Sequence, residues 1–323
     1  MNAFFLVLAG LVAALAGAPS EAQPQQLRVM GFSGSANWPL FVAQETGLFA
    51  REGLEVRLAA APDSTTQLRS LIDGRIDIAL TAMDNVVAYA EGDVFAFLGV
   101  SNGGRFNLMV APAIKSPADL KGRALAVDAL SNGYAFVLME MLRRGQLAPG
   151  DYQLVSVGGS RERLAALRSG KAAGTLLNAP QDAAAEAAGF VRLANSAEVL
   201  GAYQGSVGAA RRTWAAANDR VLVRYIRAHV AAVDWLYDPP NRARAIEILR
   251  RRLADVSLES AARSYDELLD PARGSLSRKA ALDLDGVRTV LRLRSEFARP
   301  AKPLEDANRY YDLVYYERAL RND

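Results

Sequence analysis

Gly31-Phe-Ser-Gly-Ser-Ala-Asn-Trp-Pro-Leu-Phe-Val-Ala-Gln-Glu-Thr-Gly-Leu-Phe-Ala-Arg-Glu-Gly-Leu54 reads as a strand end, a small polar loop, a helix and a return to strand. The short apolar run 27–30 enters it. Pro39 sets φ and needs no N–H partner, which suits the first turn of a helix. It also pushes Trp38 out of helical geometry, toward the N-cap. Gly47 and Gly53 punctuate the exit before the apolar run 54–58. The helix therefore presents N–H groups beside Ser33, Ser35, Asn37 and Trp38. Such an end attracts anions and polar groups, and an aromatic beside it adds a flat apolar wall. On these residues alone a second reading stands beside the first: Trp38 is a core residue and the serines are ordinary loop residues.

From Leu27 to about Leu193 short apolar runs alternate with helical periods, the pattern of an α/β chain with a largely parallel sheet. Strands are expected at 28–30, 55–59, 76–80, 95–100 and 106–110, with helices after Pro39 and near 65–72 and 85–90. Ser64-Thr-Thr-Gln67 has the spacing of a capping box, and Gly74 stops that helix. After Pro112 the style repeats. A short helix begins at Ser116, a strand covers 124–127, and Ser131-Asn-Gly-Tyr134 leads into a helix ending near Gly145. A strand at 152–157, a helix from Ser160 to Arg168 and a strand at 173–177 follow.

The second block follows the first at a constant offset. Leu68, Leu71, Gly74 and Leu80 are matched by Leu164, Leu167, Gly170 and Leu176, each 96 residues later. The same shift lays Ser35-Ala-Asn-Trp38-Pro-Leu40 on Ser131-Asn-Gly-Tyr134-Ala-Phe136. A repeat this long suggests two similar lobes, not a solenoid array. Beyond Tyr203 long helices take over, expected at about 218–237, 243–253, 258–269, 285–297 and 305–320.

Composition narrows the function. The chain has 323 residues, 51% of them hydrophobic, enough for a large core and two domains. Its 38 basic and 35 acidic side chains are interspersed, so no basic block marks a nucleic-acid surface. Cysteine is absent and histidine occurs once, as His229 on an apolar helical stripe. That leaves little room for a zinc site or a Ser-His-Asp triad, and no metal or cofactor is implied. The apolar segment 2–18, followed by Pro19, Ser20 and Glu21, reads as a secretory signal peptide spanning 1–22. Cleavage is expected after Ala18 or Ala22, although no Lys or Arg precedes the apolar run; an uncleaved N-terminal anchor is the rival reading.

Asn37-Trp-Pro-Leu-Phe-Val-Ala-Gln-Glu-Thr-Gly-Leu-Phe-Ala-Arg-Glu-Gly-Leu54, Leu71-Ile-Asp-Gly-Arg-Ile-Asp-Ile-Ala79 and Ser116-Pro-Ala-Asp-Leu-Lys-Gly122 resemble the solute-binding proteins of the thiamine-pyrimidine-synthase-like group. These are relatives of the sulfonate, taurine, nitrate and pyrimidine-precursor receptors of ABC importers. The resemblance implies a two-lobe periplasmic-binding-protein fold of type II, each lobe a mostly parallel sheet flanked by helices and joined by two crossover strands. Lobe 1 would be 24–110 plus 205–323, and lobe 2 would be 111–204. A small organic solute would be held between them. Position by position, lobe 1 would contribute Ser35, Asn37, Trp38, Ser64, Thr65, Met83 and Asp84. Lobe 2 would contribute Asn132, Gly133, Tyr134, Ser160 and Asn178, with Tyr203 near the crossover. Trp38 and Tyr134 would sandwich an apolar portion of the ligand.

The function so implied is that of a monomeric, non-enzymatic periplasmic receptor that delivers its solute to an ABC permease in the inner membrane. Enzymes on the same fold and a sensor for a membrane partner are the alternatives. The fungal pyrimidine-precursor synthases of this type rely on a cysteine-rich motif and histidines, which this chain lacks; the menaquinone-pathway enzymes are cytoplasmic. An organic anion, a sulfonate or an aromatic acid is the favoured ligand. Arg105 and Arg161 could pair with its charge, while Asp63, Asp84 or Asp128 could equally receive a cation.

Overall fold

The structure is a computed structural model that describes residues 23–102, 106–253, 256–270, 274–304 and 306–321. The signal-peptide reading and Arg105 lie outside the described residues. The first unit comprises β1 (Gln25–Gly31), α1 (Trp38–Glu45), α2 (Leu48–Arg51), β2 (Leu54–Ala60), α3 (Ser64–Ile72), β3 (Ile78–Ala82), α4 (Met83–Ala88) and β4 (Val94–Gly99). The second comprises β5 (Asn107–Val110), β6 (Ala124–Val127), α5 (Gly133–Arg144), β7 (Gln153–Ser156), α6 (Ser160–Arg168), β8 (Gly174–Leu177), α7 (Gln181–Ala187), β9 (Val191–Asn195) and α8 (Ser196–Leu200). The chain then adds β10 (Ser206–Arg211) and the helices α9 (Arg212–Ala217), α10 (Asp219–Tyr237), α11 (Arg242–Arg252), α12 (Leu258–Leu268), α13 (Leu284–Phe297) and α14 (Val314–Arg321).

Two five-stranded sheets result, ordered β2-β1-β3-β10-β4 and β7-β6-β8-β5-β9. In the first, β1 pairs in parallel with β2 and β3, and β10 runs antiparallel between β3 and β4. In the second, β6 pairs in parallel with β7 and β8, and β5 runs antiparallel between β8 and β9. Each sheet is thus mostly parallel, with one strand reversed. That reversed strand is the one reached by crossing from the other sheet. The two passages lie side by side through an antiparallel bridge between Asn102 and Gln204. The buried Gln204 amide secures them, donating to Ser101 O at 2.9 Å and to Ser206 O at 3.0 Å. Residues 107–110, placed above at the end of lobe 1, instead hydrogen-bond within the second sheet.

The 96-residue offset is structural. It superposes α3 on α6 and the starts of β3 and β8, and β1, α1 and β2 precede their counterparts β6, α5 and β7 in the same order. Gly74 and Gly170, which end the matched helices, adopt φ of 73° and 74°. That left-handed conformation carries no Cβ penalty for glycine.

Three local expectations are corrected. The N-cap of α3 is Asp63, not Ser64, and its carboxylate accepts from Thr66 N at 2.7 Å. Gln67 does not reach back to the helix start. Its amide turns into the sheet and donates to Met30 O at 2.9 Å and Leu80 O at 3.0 Å. The helix expected from 305 to 320 is split into a 3-10 turn at Ala307–Tyr310 and α14, because Tyr311 pairs beside Ala96 along β4.

One apolar core packs α1, α10 and α11 on the first sheet; a second runs continuously from Leu68 and Leu71 through Leu125 and Phe136 to Val290. This second core draws on both units, so the lobes share packing through α4, α5 and α13. His229 on α10 is fully buried in the first region, and burial pushes its pKa from 6.5 down to about 4. Both ring nitrogens lack a hydrogen-bond partner among the described residues. The fold therefore holds His229 neutral while the unfolded chain takes up a proton below its ordinary pKa, so this contribution to stability is present above that pKa and is lost as pH falls toward the folded value. Between about pH 7 and about pH 4.5 the loss should be about 2–3 kcal/mol. Denaturant titrations of wild type and His229→Leu at the two pH values check this; an equal acid loss in both proteins would refute it.

Candidate functional site

The carboxyl ends of the parallel strands converge on one cleft. β1 delivers Phe32 and Ser33, β2 delivers Pro62 and Asp63, and β3 ends in Thr81 and Ala82; from the second sheet, β6 delivers Asp128, β7 leads to Gly158 and Gly159, and β8 to Asn178. The cavity has a volume of about 390 Å³ and is lined from both units. Open α/β sheets place their ligand crevices at this end because the strand-to-helix loops and helix N-termini gather there.

Of the residues expected at the site, Asn37, Ser64, Thr65, Asn132, Gly133, Tyr134, Ser160 and Asn178 line this cavity. Asn132 caps α5, accepting from Ala135 N at 3.1 Å while its amide donates to Asp128 at 2.5 Å. Asn37 shapes the loop: its amide donates to Phe32 O at 2.6 Å, and a Cβ on Gly31 would meet its Oδ1 at 2.7 Å. Gly133 is equally constrained, since a Cβ there would stand 2.7 Å from Asp84 Cβ and 2.9 Å from the Tyr203 hydroxyl.

The other five lie elsewhere. Trp38 is fully buried in the core, donating through Nε1 to Ala245 O at 3.0 Å and meeting Tyr265 edge-to-face at 5.8 Å. It is not an aromatic wall opposite Tyr134, because α11 and α12 close over it. Met83 is packed in the shared core. Asp84 is buried behind the cleft in a two-point ion pair with Arg294 (3.0 and 2.8 Å), where burial raises its pKa against the lowering pull of Arg294 and of the Gly133 N–H. Tyr203 lies beside it with its hydroxyl pKa pushed well up by burial and by the Asp84 charge. Ser35 is buried at the contact between the units, its hydroxyl donating to Ala179 O at 2.9 Å.

The charge that the sequence reading passed over is Arg163. It occupies the place in α6 that Gln67 holds in α3, and its side chain is only 2% exposed at the cavity wall. Its guanidinium lies over the Tyr134 ring, 4.7 Å from the centroid, and donates to Ser160 Oγ at 3.0 Å. Its Nε has no hydrogen-bond partner among the described residues. Asp128 stands 3.8 Å away. The 96-residue offset was the available signal, since a buried polar side chain in the first turn of α3 implies one in α6. Arg161 and Glu162 are exposed and opposite in sign, and Asp63 is engaged in capping α3. The deep wall therefore carries a guanidinium, partly balanced by Asp128, and an aromatic ring, with amides and hydroxyls around them. Tyr134 also touches Phe106 at 4.6 Å, and its own pKa is raised by burial.

Among the described residues no group of three or more His, Cys, Asp and Glu side chains is gathered as a metal site, and no helix is long and apolar enough to cross a membrane.

A family model described as NMT1/THI5 like matches residues 36–243. No curated protein matches the chain. Among solved structures, the periplasmic nitrate-binding protein NrtA from Synechocystis PCC 6803 is similar at a TM-score of 0.76 and 13% identity, covering 92% of this chain and 89% of that one. The periplasmic aliphatic sulphonate binding protein SsuA from Escherichia coli has a TM-score of 0.68 and 20% identity over 90% of this chain and 93% of its own. The desulfurization enzyme DszB has the fold too, with a TM-score of 0.66 and 15% identity over 92% of this chain and 99% of its own.

Proposed function

We propose, from the premise that this chain belongs to the NMT1/THI5-like family, that it is a periplasmic receptor which captures a small organic anion between its lobes and delivers it to an ABC importer. The observation that carries the reading is Arg163. A guanidinium withdrawn from water, with an Nε that no described protein group satisfies, gains most from a ligand oxygen that accepts its hydrogen bond. Tyr134 offers apolar surface next to it and Phe32 adds more elsewhere in the cavity lining, so a carboxylate or sulfonate on an aliphatic or aromatic body fits better than a bare inorganic ion. The sulfonate and nitrate receptors that share the fold support a small anion, and the sulfonate receptor supports one with an organic body. Binding needs only to favour the closed arrangement over an open one.

The enzymatic reading has less support. The single histidine is in the core, and the cleft lining offers hydroxyls and carboxylates with no imidazole or thiol to serve as base or nucleophile.

A thermal-shift screen of sulfonates, aromatic acids, nitrate and pyrimidines tests the proposal. A true ligand at about 100 times its Kd should add about 2.7 kcal/mol of stability. Arg163→Met should then weaken binding of an anionic hit by about tenfold or more, as expected for loss of a hydrogen bond to a charged group. Silence across all four classes would count against the receptor; an unchanged affinity in Arg163→Met would count against the anion.

A further inference from the structure

Behind the cleft lies a second cavity of about 230 Å³, bounded by α4, the end of α13, the segment after it and Ser131 of the second unit. Its lining includes Arg294, Arg299, Lys302 and Arg309 against a single described carboxylate, Glu91. The Arg294 charge is answered by Asp84, as shown above. Arg299 is held by backbone alone, its guanidinium donating to Glu296 O and Ala298 O at 2.8 Å. Lys302 and Arg309 make no ion pair among the described residues. Three cations thus line one concave surface with a single carboxylate among the described residues to balance them, although exposed cations usually spread apart or pair.

We infer that this cavity is a second anion site, one that takes a small tetrahedral oxyanion of the sulfate or phosphate class. Its volume suits an ion of that size with bound water, and its walls offer charged donors with little aromatic surface. Arg294 is fixed from both units, by Asp84 of α4 and by the Phe136 ring of α5 at 5.6 Å, so the site has a rigid floor. It is chemically distinct from the cleft, whose buried cation lies against tyrosine. The two sites meet at one loop: Ser131 lines the second cavity, and Asn132 to Tyr134 line the first.

Calorimetric titration of the full chain with sulfate, and separately with inorganic phosphate, tests the inference in low-salt chloride buffer. Lys302→Ala/Arg309→Ala should lose about tenfold or more in affinity, and Arg163→Met should bind as wild type does. Lys302 and Arg309 are exposed, and an unchanged melting temperature in chloride alone verifies that the double variant is folded. Lys302→Gln/Arg309→Gln repeats the test if it is not. No binding of either ion to wild type would overturn the inference. So would binding that survives the double variant or that disappears in Arg163→Met, the last of which would place the ion in the cleft and leave the receptor reading intact.

Discussion

Trp38→Ala is expected to lower the unfolding free energy of the ligand-free protein by about 3–5 kcal/mol, the range for truncating a buried aromatic. The indole is fully buried, and its N–H is satisfied by Ala245 O, a carbonyl 207 residues away. Truncation would open a cavity between α1 and α11 and leave that carbonyl without its donor. It would also remove the edge-to-face contact with Tyr265. Trp38→Phe, which keeps a ring but not the N–H, should recover much of the loss. Denaturant melts of the three proteins measure this. Ligand affinity, assayed at a temperature where the variant stays folded, should change little. A stable variant with collapsed affinity would return Trp38 to the cleft wall.

Arg294→Met is expected to cost a similar amount, about 3–5 kcal/mol, because it strands a carboxylate that the fold has already taken out of water. Asp84 is 1% exposed as a side chain, against 17% for Arg294. With the guanidinium gone, only the Gly133 N–H would oppose the burial that raises the Asp84 pKa. The variant should therefore bind a proton at Asp84 more readily than the unfolded chain does. Its deficit relative to wild type should shrink as pH falls toward the ordinary carboxyl range, which is the sign expected for a raised folded-state pKa. Asp84→Asn/Arg294→Met should be more stable at neutral pH than Arg294→Met alone. A deficit independent of pH and unrelieved by the second substitution would mean that lost packing on Phe136, not charge, sets the cost.

What could be read from the sequence was local in origin. The alternation of apolar runs and glycine stops set out the strands and helices of both units, and the repeated Leu-Leu-Gly-Leu spacing exposed their kinship. The polar ends of the loops at Asn132 to Tyr134, Ser160 and Asn178 reached the cleft because strand-to-helix loops leave a parallel sheet at its carboxyl edge. What escaped depended on distant chain. Nothing near Trp38 announces that Ala245 and Tyr265 will cover it, and nothing near Asp84 names Arg294 as its partner. The fate of β5 was hidden for the same reason. A short apolar run such as 107–110 suits either sheet, and only pairing with β8 and β9 selects the second. Arg163 was obscured by its type, since an arginine in a polar helical turn ordinarily points to water.

The Ser35 hydroxyl and the Ala179 carbonyl meet across the units at 2.9 Å, a neutral hydrogen bond with no charge on either side. Such a bond contributes about 1 kcal/mol net and is readily exchanged for bonds to water. A clasp of that strength adds only slightly to the apolar core that the two units already share. The fraction of molecules already closed sets how far measured affinity falls below intrinsic affinity. A bond worth about 1 kcal/mol would shift an open–closed balance by about fivefold, from a serine that does not line the cleft.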